Sequence, residues 1–401
     1  MNHRLRAALA AGFFLSVLGT ARAAGLPALI DEAVNTDPAI LEARANEEVA
    51  ASRADATRAQ HYPTLGAQAG SYVANPGDYS RPFRGVVGRV NLYAAGAIDA
   101  AVERDTLKEQ SLRLHTAETR EAVAASVTGL YLDALRAQEL MESEQRNLAR
   151  HEKIVGDLRV VVENDRGRNY ELVQAQSRAL QVRMRIVEYE KAMKLALSRL
   201  TRYTRQTPTL QDPMGADWRA RVPAGVAERV HPGVQAQQRE AASVRAEQRA
   251  LARQRWPRVD LEAGVGNLGY ARVVLNWAFF DRSADYTELS AARQIAAAER
   301  RGELLERDVA ERSATAEADM AQSQAQIEAA ERQIGASASV VELYEMQFKV
   351  GRRSLIELVN AYAELASVEA SRVTARNDWR RAVASYLSAR AVLADWAQAQ
   401  R

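Results

Sequence analysis

Hydrophobic residues recur at every seventh position along two long stretches of the chain, the spacing of helices that pack along a continuous seam. The first series is Val127, Ala134, Met141, Leu148, Val155 and Val162, and the second is Met320, Ile327, Ile334, Val341 and Phe348. Proline, the residue that most strongly breaks helices, is absent from 84–207 and from everything after Pro257. The pattern predicts two long helices, over 97–165 and 283–350, each about 100 Å in length.

A different period marks the segment that precedes each long helix. From Arg258 to Trp277 apolar and polar residues alternate, which predicts two strands joined as a β-hairpin, 258–277. Each arm has about the nine residues that a tilted strand needs to cross a bilayer, and the polar face would line a water-filled lumen. The earlier segment 64–92 alternates less cleanly around the turn-rich Asn75–Asp78, and we predict a hairpin there as well.

One phrase occurs twice in the sequence. QHYPTLGAQAG covers residues 60–70, and QRWPRVDLEAG covers residues 254–264. The second heptad series also follows its counterpart in the first by a constant 186 residues. These matches predict two tandem repeats, 24–212 and 213–401. Each consists of a helix (29–60 or 232–255), a β-hairpin, a long helix and a last helix.

An aromatic residue stands directly before a proline in both copies of the repeated phrase, as Tyr62 and Trp256. The proline ends the incoming helix, and the aromatic side chain then lies where the strand would enter lipid, at the height of an interfacial girdle. Trp277 holds the corresponding place at the strand exit. The alternative is an aromatic packed beneath an ordinary helix–strand junction.

The first residues have the three parts of a secretory signal peptide, with Arg4 and Arg6, an apolar run over 7–18, and Ala21-Arg22-Ala23. Removing 1–23 turns 54 basic and 51 acidic residues into 51 of each, so the charge does not indicate nucleic acid binding. The chain contains no cysteine, which excludes disulfides and a lipid anchor. A soluble periplasmic protein or an outer-membrane β-barrel remains.

No catalytic or metal-binding pattern stands out in the sequence. The G-x-G-x-x-G at 264–269 precedes a strand-like segment rather than the helix that a nucleotide site needs. The histidines are scattered, and neither H-E-x-x-H nor G-x-S-x-G occurs. We therefore predict that the protein is not an enzyme and has no cofactor and no metal site.

Four strands cannot close a membrane barrel, and open edges in lipid leave backbone groups unpaired, so the chain must oligomerise. The repeats, Asn91–Gly96, Trp277–Asp281 and Val350–Leu358 resemble the TolC-like outer-membrane factors of efflux pumps and type I secretion systems. The resemblance covers 29–396. It implies a mainly α-helical protein with a membrane β-barrel portion, in which a homotrimer closes a twelve-stranded barrel on a periplasmic α-helical barrel.

The same resemblance implies a gate at the far end of the helices. The matching positions are Glu171, Phe348, Arg353, Glu357 and Asn360, with tip turns at Gly167 and Gly351. Glu171 and Arg353 are expected to form a charge-assisted pair that holds the entrance shut. Phe348 replaces the tyrosine usual in the family and lacks its hydroxyl group. Glu357 matches a first ring of carboxylates, whereas Asn360 stands where a second is expected, which weakens cation binding. The alternative is a set of solvated helix ends.

The resemblance further implies a passive exit duct in the outer membrane. A periplasmic adaptor would open it, and an inner-membrane ABC or proton-driven transporter would supply the energy. Protein secretion and drug efflux use the same kind of duct, so the cargo stays open. A soluble periplasmic coiled-coil adaptor or scaffold is the alternative, and cell fractionation would distinguish the two.

Overall fold

The computed structural model describes residues 24–72, 81–215, 217–222, 230–267 and 269–399. The helices are α1 (Leu26–Thr36), α2 (Pro38–Arg58), α3 (Ala97–Asn164), α4 (Asn169–Leu200), α5 (Pro232–Gln254), α6 (Arg282–Lys349), α7 (Leu355–Ala389) and α8 (Leu393–Gln398). The strands are β1 (Thr64–Tyr72), β2 (Arg81–Tyr93), β3 (Arg258–Gly266) and β4 (Tyr270–Asn276). The predicted signal peptide and the turn at 75–78 lie outside the described residues.

The two long helices are confirmed. Helices α3 and α6 each have 68 residues, which corresponds to about 100 Å. Gly96 precedes α3 in the left-handed conformation (φ 76°), and Asp281 caps α6 by accepting a hydrogen bond from the backbone N–H of Ser283 (2.8 Å). The first and last residues of both helices therefore match the predicted bounds, 97–165 and 283–350, to within one residue.

The prediction of a single helix over 29–60 is wrong. The chain is extended at Asp37 (ψ 130°), and Pro38 opens α2 as a separate helix. The Asp37 carboxylate accepts a hydrogen bond from the backbone N–H of Ala39 (2.8 Å). Proline restricts the preceding residue to extended conformations, and this effect outweighs the helical pattern on both sides.

The long helices organise the packing of the others. Helices α2 and α4 lie one after the other along α3, and α5 and α7 lie in the same way along α6. Helix α3 also contacts α5 and α7. Far from the strands the helix order is therefore α4-α3-α7-α6, with α4 and α6 at the two sides. Among the described helices, none is long and apolar enough to cross a membrane.

Two apolar cores hold the helices together. The larger one lies where α1 and α8 pack against the middle of α3 and the end of α7, around Tyr131, Leu132 and Trp396. The smaller one lies near the far ends of the helices, around Leu158, Leu358 and Tyr362. Both cores join α3 to α7, so the predicted repeats 24–212 and 213–401 pack against each other.

A buried arginine strengthens the α3–α7 contact. Arg380 on α7 is 0% exposed and donates hydrogen bonds to both carboxylate oxygens of Glu139 on α3, at 2.9 and 2.8 Å. It also donates to Asp212, in the segment between α4 and α5, at 3.0 Å. A buried ion without partners costs several kcal/mol, so the position of Arg380 depends on these carboxylates.

The Glu121 carboxyl gives the larger core a pH dependence. Glu121 is buried on α3 and accepts hydrogen bonds from the backbone N–H groups of Leu393 (2.9 Å) and Ala394 (3.1 Å) at the start of α8. Burial raises the pKa of this carboxyl to about 7, against the opposing effect of the two hydrogen bonds. Between its ordinary pKa of 4.5 and 7, the folded chain holds a proton that the unfolded chain has released. The free energy of unfolding therefore falls as the pH rises through this window.

Between pH 4.5 and 7, the titration of Glu121 should lower the free energy of unfolding by about 3 kcal/mol. Replacing Glu121 with glutamine is expected to remove this decrease. Urea unfolding followed by circular dichroism from pH 4 to pH 8 measures it. Glu142→Gln, at an exposed position of the same helix, is the control. An E121Q profile as steep as that of the wild type would show that Glu121 is ionised in the folded chain.

The four strands form one antiparallel sheet in the order β1-β2-β3-β4. Both predicted hairpins are confirmed, and β2 of the first pairs with β3 of the second, with Val90 opposite Leu261. Gly264 and Gly266 of the G-x-G-x-x-G lie in β3, and strand β4 begins at Tyr270, directly after Gly269, as predicted. Because β1 and β3 follow helices while β2 and β4 lead into helices, all the long helices lie at one end of the sheet.

Candidate functional site: a two-faced sheet and a helical tip

One face of the sheet is apolar and exposed. In the register of the strands, Val86 lies opposite Val265, Val90 opposite Leu261, and Leu261 opposite Val273. Val265 is 76% exposed. Further members of this face are Leu65, Ala67, Ala263 and Leu275. A continuous apolar patch of this kind on a folded chain marks a surface that is covered by membrane lipid or by another protein.

The opposite face is polar. Glu262 lies between two arginines of neighbouring strands, accepting from Arg89 on β2 (Nε, 2.7 Å) and from Arg272 on β4 (Nε 2.9 Å, Nη2 2.7 Å). Asp260 accepts from Asn91 and from Arg258, both at 2.9 Å. Glycines such as Gly66, Gly85 and Gly264 occupy much of the remaining face, which is one reason why the first hairpin alternates poorly in sequence.

The three predicted interface aromatics lie at the helical end of the sheet. Tyr62 and Trp256 precede β1 and β3, and Trp277 follows β4. Trp256 is 65% exposed, and Tyr62 and Trp277 are exposed to a similar degree, which is not the burial of aromatics packed beneath a junction. Three further exposed aromatics at the same end are Tyr93, Phe279 and Phe280. Together the six form a band between the apolar face and the helices, which we call the aromatic band.

The opposite end of the molecule is the tip, formed by 164–171 between α3 and α4 and by 349–357 between α6 and α7. Among the described residues, the predicted partners Glu171 and Arg353 each have other contacts. Glu171 accepts from Arg168 (2.6 Å) and from the hydroxyl of Tyr170 (3.2 Å). Arg353 pairs with Glu357 and lies 4.4 Å from the ring centroid of Tyr344. The single chain thus does not bring Glu171 and Arg353 together.

Helix capping explains the positions of Glu357 and Gly351. Ser354 and Glu357 form a capping box at the start of α7, in which the Ser354 backbone N–H donates to the Glu357 carboxylate (3.0 Å). Hydrogen bonds from Ser354, and then from Arg353, lower the pKa of Glu357 to about 2. Gly351 has a φ of 74°, the left-handed conformation that ends α6. The S-x-x-E spacing in the sequence was the signal for this cap.

The remaining predicted tip residues have separate environments. Gly167 lies in a short 3₁₀ turn and donates its N–H to Asp165 (3.0 Å). Asn360 is exposed on the second turn of α7. Phe348 packs against the smaller core, and the guanidinium of Arg168 lies 6.0 Å from its ring centroid. Arg168 therefore links the two halves of the tip, a role that the sequence did not reveal because nothing in its spacing distinguishes it from the neighbouring arginines.

The two outermost helices carry complementary exposed faces near the tip. Helix α4 exposes a row of large apolar side chains opposite the face that packs on α3, which we call the α4 stripe: Tyr170, Val173, Leu180, Met184, Val187 and Leu195. Helix α6 exposes Val340, Leu343 and Met346, and Val350 follows directly after its last residue. The row continues away from the tip with the small residues Ala318, Ala325, Ala329 and Ala336. We call this row the α6 stripe. Measured from the tip, Leu180, Met184, Val187 and Leu195 of α4 lie at about the height of the small residues of α6.

Residues 29–204 match the family described as outer membrane efflux protein. The structure is similar to that of the outer-membrane channel OprN, with 17% sequence identity, a TM-score of 0.77, and coverage of 92% of this chain and 90% of that chain. The likeness therefore continues well beyond the residues that the family match covers.

The chain therefore resembles the outer membrane efflux protein family over residues 29–204, and it shares the fold of an outer-membrane channel over 92% of its length. Its predicted resemblance is thereby confirmed.

Two further solved structures of outer-membrane proteins share the fold. VceC from Vibrio cholerae has 16% identity and a TM-score of 0.78, over 92% of this chain and 96% of that chain. The open state of the MtrE channel of Neisseria gonorrhoeae has 18% identity and a TM-score of 0.73, over 91% of this chain and 88% of that chain. No curated protein matches the sequence.

Proposed function

We propose that three copies of this chain form an export channel in the outer membrane. Twelve strands would close a barrel in the outer membrane, and the helices would extend it as a tunnel through the periplasm. The observation that carries the proposal is the two-faced sheet, whose apolar face is exposed while its polar face holds a network of ion pairs. Lipid outside and water inside a barrel are the surroundings that these faces require.

The sheet edges support assembly from several copies. Strands β1 and β4 are the two edges of the sheet, and each presents backbone N–H and C=O groups on its outer side. In the hydrocarbon region such groups must find partners, because no water is available there. Pairing of β4 in one copy with β1 in the next continues the antiparallel order and closes the sheet after three copies.

The helices support the same arrangement. The α4 stripe and the α6 stripe lie on opposite sides of the chain, so one copy can present α4 to α6 of its neighbour. Large side chains from one helix would then meet small ones on the other, as knobs enter holes in coiled coils. A head-to-tail contact of this kind forms a closed ring when the rotations from each copy to the next add up to a full turn.

The aromatic band supports the position of the membrane. Trp and Tyr concentrate where hydrocarbon meets the polar region, and the band lies between the apolar face and the helices. The long helices then extend about 100 Å from the membrane, on the periplasmic side.

In this assembly the protein is a passive duct. A periplasmic adaptor would dock on the helices and open the tip, and an inner-membrane transporter, either an ABC exporter or a proton-driven pump, would drive the cargo. The tip contacts of Arg168, Glu171, Phe348 and Arg353 are the groups that opening must separate or rearrange. Type I secretion and multidrug efflux both fit this arrangement.

Two neighbouring valines of β4 provide a matched test. Val273 belongs to the apolar face and Val274 to the polar face, opposite Asp260. We expect Val273→Arg to destabilise the membrane-inserted protein by about 2–4 kcal/mol, because the charge would lie in lipid. Val274→Arg would place the same side chain in the aqueous lumen and cost far less.

The measurement is the amount of heat-modifiable trimer in the outer-membrane fraction, determined on gels with unheated and heated samples. Equal loss of trimer in V273R and V274R would contradict the assignment of the faces. Recovery of the wild-type chain as a monomer in the soluble periplasmic fraction would contradict the channel itself.

A further inference from the structure

We propose that three arginines on the polar face of the sheet form an anion-binding belt that makes the duct favour multiply charged organic anions as cargo. The belt consists of Arg89, Arg258 and Arg272 of each copy. This inference rests on the proposed function, because it requires the polar face to line the lumen.

The geometry of the belt places cations above anions. The side chains of Glu262 and Asp260 are 7% and 8% exposed, whereas those of Arg89 and Arg258 are each 54% exposed and that of Arg272 is 63% exposed. The carboxylates thus lie against the strands and orient the guanidinium groups from below. The surface that a passing solute meets is made of guanidinium groups.

The charges do not cancel. At the level of Glu262 and Asp260, the three guanidinium groups of Arg89, Arg258 and Arg272 stand against these two carboxylates, an excess of one positive charge per copy within the belt. A guanidinium group carries five N–H donors in a fixed plane, more than a single carboxylate oxygen can use. Arginine binds carboxylate and phosphate groups with two parallel hydrogen bonds, and rings of basic side chains confer anion preference on pores.

A hollow beside the belt has room for the body of such a solute. It has a volume of about 270 Å³, and its lining includes Gln68, Tyr270 and Arg272 above the backbone of Gly85 and Gly264. A Cβ atom on Gly264 would lie 2.5 Å from Cε1 of Tyr270, so glycine is what lets the tyrosine ring lie close against β3. The guanidinium of Arg272 lies 5.3 Å from the centroid of that ring. An aromatic surface beside a cation suits an organic anion with a planar or apolar part.

Block of single-channel current by tripolyphosphate tests the belt. Trimers are inserted into planar bilayers at constant ionic strength, and the anion is added to the compartment that the sheet faces. We expect current block in the wild type, and a roughly tenfold higher half-blocking concentration in Arg89→Gln/Arg272→Gln. Arg113→Gln/Arg300→Gln removes the same charge from exposed helix positions and should change the value less than about twofold.

In the double variant the Glu262 carboxylate loses both arginine partners, and its charge could itself repel the anion. A second variant controls for this effect. R89Q/E262Q/R272Q leaves no charge at the position of Glu262, and it should lose the block to the same extent while keeping the heat-modifiable trimer. Equal block in wild type and both variants, or block by spermine in place of tripolyphosphate, would overturn the belt and leave the channel standing. Absence of trimers and of conductance in the wild type would overturn the proposed function and the belt with it.

Discussion

Replacing Glu139 with alanine is expected to lower the free energy of unfolding by about 3 kcal/mol, because it removes the main partner of a fully buried cation. Arg380, whose side chain is 0% exposed, would lose its two hydrogen bonds to Glu139 and keep the one to Asp212. The shift in the urea midpoint of the purified protein, followed by circular dichroism, measures the loss.

Glu142→Ala is the matched control for this prediction. Glu142 is an exposed glutamate on the same helix and has a hydrogen bond only to Gln138, at 2.9 Å, among the described residues. We expect a change within about 0.5 kcal/mol. Leucine at both 139 and 380 should recover most of the loss, since no unpaired ion is then buried. Similar midpoints for E139A and E142A would show that Arg380 does not depend on its pairing.

Aspartate at both Leu180 and Val187 is expected to abolish the trimer. In the proposed assembly these residues of the α4 stripe are covered by α6 of the neighbouring copy, and an unpaired carboxylate costs several kcal/mol when it is buried. Three interfaces carry two such charges each. The fraction of protein that migrates as heat-modifiable trimer should fall at least tenfold.

Helix α3 offers the control for the stripe. Gln145→Asp/Ala149→Asp introduces the same two groups at exposed positions of a helix that has α4 and α7 as neighbours within its own chain. This variant should retain the trimer. Retention of the trimer by L180D/V187D would mean that α4 does not lie in an interface between copies.

At the tip, the family resemblance located the residues but did not predict which of them pair with each other. The structure places positions 171, 348 and 353 at the tip, yet Glu171 pairs with Arg168 and Arg353 with Glu357. Both pairs span three or four residues along the chain, so they form wherever the helix ends form. Arginines are abundant at the tip, and a difference of a few ångströms decides which of them a carboxylate meets.

The strands show how far local patterns reach. Alternation and proline positions predicted both hairpins, 64–92 and 258–277, and the outer ends of the observed strands agree with these bounds to within one residue. Glycines on the polar face hid the alternation of the first hairpin, because a residue without a side chain gives no signal for either face. The pairing of β2 with β3 joins residues about 170 positions apart and has no local signature.

The sequence by itself determined the helical and extended segments, their lengths, the breaks at proline and glycine, and the family resemblance, because these depend on neighbouring residues and on their period. Only the tertiary structure decided that Arg380 is buried between two carboxylates, that Asp260 and Glu262 lie beneath arginines, and that the α4 and α6 stripes are left exposed. Those features arise where helices and strands distant in the sequence meet. A charged residue on an amphipathic helix has the same local pattern whether its partner is water, a buried arginine or another copy of the chain.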